Sequence, residues 1–248
     1  MNRRDLLRAS TAVGATALAA GAAAASPAPA AAPKPAAAVG GKPLRVHIVL
    51  YEGVEELDFI APYEVFSAAP FFAARPVEVR YVTVDGTTAV RAAYGTEVHG
   101  VRPWAPHRAD LLVVPGGGYA RRDSPGVWAE IQRGALPKAL AAAARPGLTV
   151  SALCTGTMLL SAAGLTRNRP CTTHHRARQD LQDQGGVVKN ARVVDDGDLV
   201  TAGGVTSGLD LGLWLVRREL GPDAATGLEA MLEYEARGTV WTSAAAAR

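Results

Sequence analysis

The run Asp110-Leu-Leu-Val-Val-Pro-Gly-Gly-Gly118 constrains the fold of this chain more than any other stretch. Consecutive large apolar residues without alternation fit a strand covered on both faces, and such strands belong to parallel sheets flanked by helices. A proline and three glycines then stop the run. A second stretch is built the same way: Leu148, Val150 and Leu153 lie in a β-prone segment, and Met158, Leu159 and Leu160 open a short helix ending near Gly164. Between strand and helix stand Cys154, Thr155 and Gly156. That order places the Cys154 side chain at the carboxyl edge of a parallel sheet, where open α/β folds bind their ligands.

The remaining chain alternates in the same sense. Leu44–Leu50 reads as a first strand, followed by a helix from Glu55 to Phe66 with Leu57, Ile60, Ala61 and Val65 at helical spacing. Val77–Val84 has period-two character, the mark of a less buried strand, and Asp85–Pro106 is turn-rich with short extended pieces, in which His99 and His107 are expected to be exposed. Helical pieces at 127–131 and 136–144 lead into the Cys154 strand. After it come a short strand over Arg169–His175, a polar helix over 176–184, and a hairpin of 187–194 with 198–202 about the Asp195-Asp-Gly197 turn. A helix with Leu209, Leu213, Val216 and Leu220 on one face and a last helix to about Tyr234 complete the domain, leaving 237–248 as an expected frayed tail. No internal repeat interrupts this pattern.

Residues 1 to about 40 have a different composition. Paired arginines in Met1-Asn-Arg-Arg-Asp-Leu-Leu-Arg8 precede an alanine-rich run and a Pro/Ala tract from Ser26 to Ala38, the layout of a twin-arginine export signal, with Leu6 and Arg8 departing mildly from the usual residues. The run is too short and too alanine-rich for a convincing membrane span, so no stable membrane insertion is expected once the signal is cut. Of the formal net charge of +3, two units belong to Arg3, Arg4 and Arg8 set against Asp5. The remainder is near neutral and shows no basic stripe with interleaved aromatics, which argues against a nucleic-acid partner. The roughly 200 residues that follow suit one domain burying about 70% of its unfolded surface, without disulfide staples.

Cys154 is the first candidate for chemistry. A helix N-terminus lowers a thiol pKa from about 8.5 toward roughly 3.5 to 7.5, so the turn is expected to favour a thiolate nucleophile. A buried cysteine acting as a small hydrophobe is the competing reading. Glu55, Glu56 and Asp58 open the first helix, where they either complement its dipole or supply one acid–base partner to the thiol, and the residues alone do not choose among them. The glycines after Val114 form no nucleotide-binding signature; an oxyanion-type pocket or an ordinary turn are the two options. Two adjacent histidines, His174 and His175, cannot both face one site from a strand. No metal is expected, there being no H-E-x-x-H, no C-x-x-C and no acidic cluster at ligand spacing. Cys171 is read as packing; a bridge from it to Cys154 would silence the nucleophile.

Four stretches taken together resemble the ThiJ/PfpI superfamily, and within it the isonitrile hydratases most closely. They are Glu56-Leu-Asp-Phe-Ile-Ala-Pro-Tyr-Glu-Val-Phe66, Val114-Pro-Gly-Gly-Gly118, Ala152-Leu-Cys-Thr-Gly-Thr157 and Thr172-Thr-His174, followed by Asp195-Asp-Gly197 and Ala202-Gly-Gly-Val-Thr-Ser-Gly-Leu-Asp-Leu211. The similarity spans residues 43 to 236. It implies a flavodoxin-like three-layer α/β sandwich with a mostly parallel central sheet and a cysteine nucleophile elbow. It further implies Cys154 as nucleophile, Asp58 as its acidic partner and Thr155 as a polar neighbour. Gly117 and Gly118, with the Thr155 N–H, would form the oxyanion pocket, and His174 would stand near the thiol. The implied protein is a cofactor-free homodimer acting on a small molecule. Thr155 stands where proteases and many deglycases of the superfamily carry histidine, and His175 where the hydratase-like branch usually carries tryptophan. Hydration of an isonitrile is the activity implied. Glyoxalase- or deglycase-like chemistry on reactive carbonyls, and an exported binding or redox-sensing domain, are the alternatives. Relatives that are the sensing half of AraC-type regulators carry roughly another hundred residues of helix-turn-helix, absent from this sequence.

Overall fold

The computed structural model describes residues 41–244. The expected export signal therefore lies outside the described residues. Eight strands form the main sheet: β1 (Leu44–Val49), β2 (Val77–Thr83), β5 (Arg102–Pro103), β6 (Leu111–Val114), β7 (Thr149–Leu153), β10 (Val193–Asp195), β11 (Leu199–Ala202) and β12 (Val240–Thr242). Their spatial order is β12-β10-β11-β7-β6-β1-β2-β5, parallel throughout except for the antiparallel β10–β11 pair. Two small sheets stand apart: the hairpin β3 (Ala89–Arg91) and β4 (Glu97–His99), and the parallel pair β8 (Pro170–Cys171) and β9 (Val187–Val188).

The helices are α1 (Glu56–Ala68), α2 (Val127–Arg133), α3 (Ala135–Ala143), α4 (Gly156–Ala162), α5 (Arg178–Asp183), α6 (Ser207–Leu220) and α7 (Pro222–Leu232). Helix α1 packs on α6 and α6 on α7, while α2, α3 and α4 pack on one another, so the sheet lies between two helical layers. This is a flavodoxin-like α/β fold. Every residue of β6 is buried, as its unbroken apolar run requires, and β2 is only partly buried, as its alternation indicates.

Five features differ from the sequence reading. The hairpin expected between 187–194 and 198–202 is confined to β10 and β11, because Val187–Val188 pairs instead with β8. The helix at 56–68 buries Asp58, Phe59, Ala61, Pro62, Val65 and Phe66, leaving Leu57, Ile60 and Tyr63 exposed. It is apolar almost all round, so periodicity gives it no single inner face. On α6 the core side is likewise wider than one stripe, with Gly208 and Gly212 lying against Ala61, Pro62 and Val65 of α1. The strand expected over 169–175 shrinks to β8, and His174 and His175 lie beyond it, His174 capping a 3-10 turn. Finally, part of the expected frayed tail is ordered: Val240–Thr242 pairs with β10 as an edge strand. Among the described residues no helix is long and apolar enough to cross a membrane.

Candidate active site

Cys154 closes β7 with φ of 51°, a left-handed conformation that costs a non-glycine residue about 1–3 kcal/mol and persists only where surroundings enforce it. Here they do. Its N–H donates to the Gly203 carbonyl at 2.7 Å, the Thr173 hydroxyl donates to its carbonyl at 2.7 Å, and the His174 N–H reaches the same oxygen at 3.3 Å. Helix α4 begins two residues later and approaches β6 so closely that a Cβ on Gly156 would lie 2.1 Å from the Val114 carbonyl oxygen. The strand-to-helix elbow thus depends on glycine for close packing rather than for a positive φ.

Beneath the elbow sits Asp58, 0% exposed. One carboxyl oxygen accepts from the Gly116 N–H at 2.9 Å; the other makes no conventional hydrogen bond, and the carboxyl interacts at close range with the Cys154 thiol. Burial pushes the Asp58 carboxyl up to about 7, against the opposing pull of the Gly116 N–H. Burial, then the neighbouring Asp58 charge, push the Cys154 thiol up to about 12, while N–H groups of Val205 and Thr155 directed at the sulfur act the other way. The thiolate expected from the helix N-terminus is therefore not the resting form. Desolvation and a like charge outweigh the dipole of a helix only seven residues long.

The thiol opens into a cavity of about 470 Å³ lined by Gly117, Gly118, Thr155, His174 and Val205 from the elbow side. Glu55 and Tyr94 also line it, as does the aromatic pair Tyr119 and Trp128, whose rings stack at 4.8 Å. The structure thus brings Cys154, Asp58, Thr155, Gly117, Gly118 and His174 together. Gly117 meets a need its residue type explains: at φ of 142° a Cβ would fall 2.4 Å from the Gly53 carbonyl oxygen. Its N–H, however, donates to Thr155 Oγ1 at 3.1 Å, so that donor is engaged within the loop rather than free for a developing charge. The N–H groups that do face the sulfur belong to Thr155 and Val205. Val205, at φ of 39°, carried no sequence signal. His174 packs its ring on Gly204 and 4.3 Å from His175, and burial with nearby positive charge lowers its pKa, leaving a neutral imidazole. Glu55 borders the cavity while Glu56 turns away to accept from the Tyr94 and Thr96 N–H groups. Cys171 is fully buried and both thiols are free. Among the described residues no group of three His, Cys, Asp or Glu side chains could hold a metal ion.

A flavodoxin-like sheet carrying a strained cysteine elbow with a carboxyl buried beneath it defines a class of α/β proteins. The chain belongs to the DJ-1/PfpI family, whose profile matches residues 44–218. It is 29% identical over 191 residues to an isonitrile hydratase of Pseudomonas putida, covering 77% of this chain and 78% of that one. It is 22% identical over 191 residues to the glutathione-independent glyoxalase DJ-1 of Schizosaccharomyces pombe, covering 73% and 93%. Among solved structures, a ThiJ/PfpI family protein from Pseudomonas syringae superposes with a TM-score of 0.69 at 24% identity, over 78% of this chain and 76% of that one.

Proposed function

We propose that the protein is an exported hydro-lyase that adds water to an isonitrile, giving an N-substituted formamide without a cofactor. The observation that carries this reading is the Asp58 carboxyl, held near 7 against the Cys154 thiol. A group of that pKa accepts and returns protons with equal ease at neutral pH. As the sulfur attacks the terminal isonitrile carbon, Asp58 takes the thiol proton and delivers it to that carbon, leaving a thioimidate. Asp58 then removes a proton from the attacking water and passes it to the thioimidate nitrogen, and the remaining hydroxyl proton travels through the carboxylate to the departing sulfur as the C–S bond breaks. No redox step is needed. The Thr155 and Val205 N–H groups attract negative charge at sulfur as it develops and as it departs. The relative named isonitrile hydratase and Thr155 after the cysteine both support this chemistry over a protease-like one.

The purified domain is expected to form N-cyclohexylformamide from cyclohexyl isocyanide. Cys154→Ser should abolish turnover, and Asp58→Asn should lower kcat by about 10²–10⁴-fold. No product from folded, reduced protein would overturn the reading. Methylglyoxal is assayed in parallel because of the glyoxalase relative; lactate formed there would transfer the same pair to carbonyl chemistry. We further propose a homodimer, supported by the exposed apolar side chains Leu57, Ile60 and Tyr63 on α1. Light scattering should report a dimer, and Ile60→Glu should give a monomer.

A further inference from the structure

The cavity over Cys154 carries charge that hydration of a neutral isonitrile does not use. Arg121, Arg122 and Arg176 all line it, and none forms an ion pair with a carboxylate among the described residues. Arg122 lies over the Trp128 ring at 4.3 Å, which holds its guanidinium against the aromatic wall. Trp128 is fixed in turn through its indole N–H, which donates to the Tyr119 carbonyl at 2.6 Å. The Arg176 N–H donates to His174 Nδ1 at 3.3 Å, tying that residue to the elbow side. Asp180, on α5, is occupied by the Tyr119 hydroxyl at 2.5 Å. Three arginines border the cavity against one acidic residue, Glu55, and a neutral His174. Unpaired arginines in a part-enclosed, aromatic-sided cavity focus positive potential and suit a carboxylate, which a guanidinium grips with two parallel hydrogen bonds.

We propose that the natural substrate is an isonitrile carrying a carboxylate at its far end. The isonitrile carbon meets Cys154, an apolar or aromatic spacer lies along Tyr119 and Trp128, and the carboxylate is received by Arg121, Arg122 and Arg176. Hydration would then yield an N-formyl amino acid, one water adding across the terminal carbon with no other bond changed. This inference rests on the hydratase reading for its reaction and on the arginines alone for its charge selectivity.

Two measurements separate these. First, kcat/KM is compared for 4-isocyanobenzoate and phenyl isocyanide. The acid is expected to be preferred about tenfold or more, the ratio falling in 0.5 M NaCl and in the Arg121→Gln/Arg176→Gln double variant. Second, Cys154 is alkylated with iodoacetate and with iodoacetamide, the site of modification being located by mass spectrometry. A thiol beside a buried carboxyl should disfavour the anionic reagent relative to a small free thiol. The arginine cluster reverses that order, so the iodoacetate-to-iodoacetamide ratio should exceed that of N-acetylcysteine about fivefold and collapse in the double variant. A raised ratio without turnover of either isonitrile would remove the hydratase chemistry and keep the anion site. Turnover without preference for the acid, together with a ratio at or below that of the free thiol, would overturn the proposal and leave the hydratase reading standing.

Discussion

At the residue scale the site is governed by a competition between burial and charge. Asp58 and Cys154 are both acids, and low-dielectric surroundings raise both, so the pair behaves as a proton reservoir rather than as a preformed thiolate. The sign of its effect on stability follows. The folded carboxyl titrates near 7 and the unfolded one at 3.8, so the folded state holds the extra proton between these values. Its stabilising contribution is therefore complete below about pH 3.8 and is lost as pH rises through 7. Asp58→Asn has no such loss. Calorimetry should show the melting temperature of the variant rising relative to the unsubstituted protein between pH 5 and pH 8; a constant difference would mean that the carboxyl titrates normally. Of the side chains that meet here, Cys154 was legible from its own strand-turn-helix setting. Asp58 was singled out over Glu55 and Glu56 only by family likeness, because three acids in one first turn are equivalent until the helix is rotated into place. The guanidinium groups at 121, 122 and 176 gave no signal, since surface and cavity arginines look alike in a sequence.

At the element scale the elbow is a packing solution. The N-terminus of α4 meets the end of β6 with no room for a side chain at 156, where a Cβ would stand 2.1 Å from one backbone oxygen and 2.5 Å from the next, Pro115 O. Gly156→Ala is expected to cost about 3 kcal/mol, read from urea unfolding, and to slow Cys154 alkylation because α4 must retreat. An alteration of less than about 1 kcal/mol would show that the helix slides freely. A strand buried on both faces was readable where burial strips out alternation, as in Leu111–Val114. Elements defined by a neighbour rather than by their own pattern were not. The Val240–Thr242 strand is three residues among polar and small ones, and only the open edge of β10 makes it a strand. The orientation of α1 escaped for the opposite reason, an excess of apolar residues on every side.

At the scale of the whole molecule, a buried ionic cluster joins the antiparallel hairpin to the helical layer. Asp195, at the end of β10, accepts from the Trp214 indole at 2.8 Å and the Gly197 N–H at 2.8 Å, and pairs with Arg218 at 3.2 Å. Arg218 reaches onward to the Gly197 carbonyl and to the Thr149 hydroxyl at the start of β7, each at 2.8 Å. One guanidinium therefore links α6, the β10–β11 turn and the strand that carries the nucleophile. Arg218→Ala leaves an inward-facing carboxylate short of its counter-charge and should destabilise the domain by about 2–4 kcal/mol. Chemical denaturation at pH 7 should show this, and a loss below about 1 kcal/mol would mean that the Trp214 and Gly197 donors alone satisfy the carboxylate.

The left-handed backbone at Cys154 also sets which substitutions that codon tolerates. A residue held at φ of 51° must be one that accepts this geometry, which favours Gly, Asn and Asp and disfavours β-branched Val, Ile and Thr. In a saturation library sorted for soluble expression, Ser and Asn should survive where Thr and Val are depleted, whatever their reactivity. Folding and turnover thus filter different subsets of the twenty side chains at one position, and the tolerance profile of the elbow reports backbone geometry before it reports catalysis.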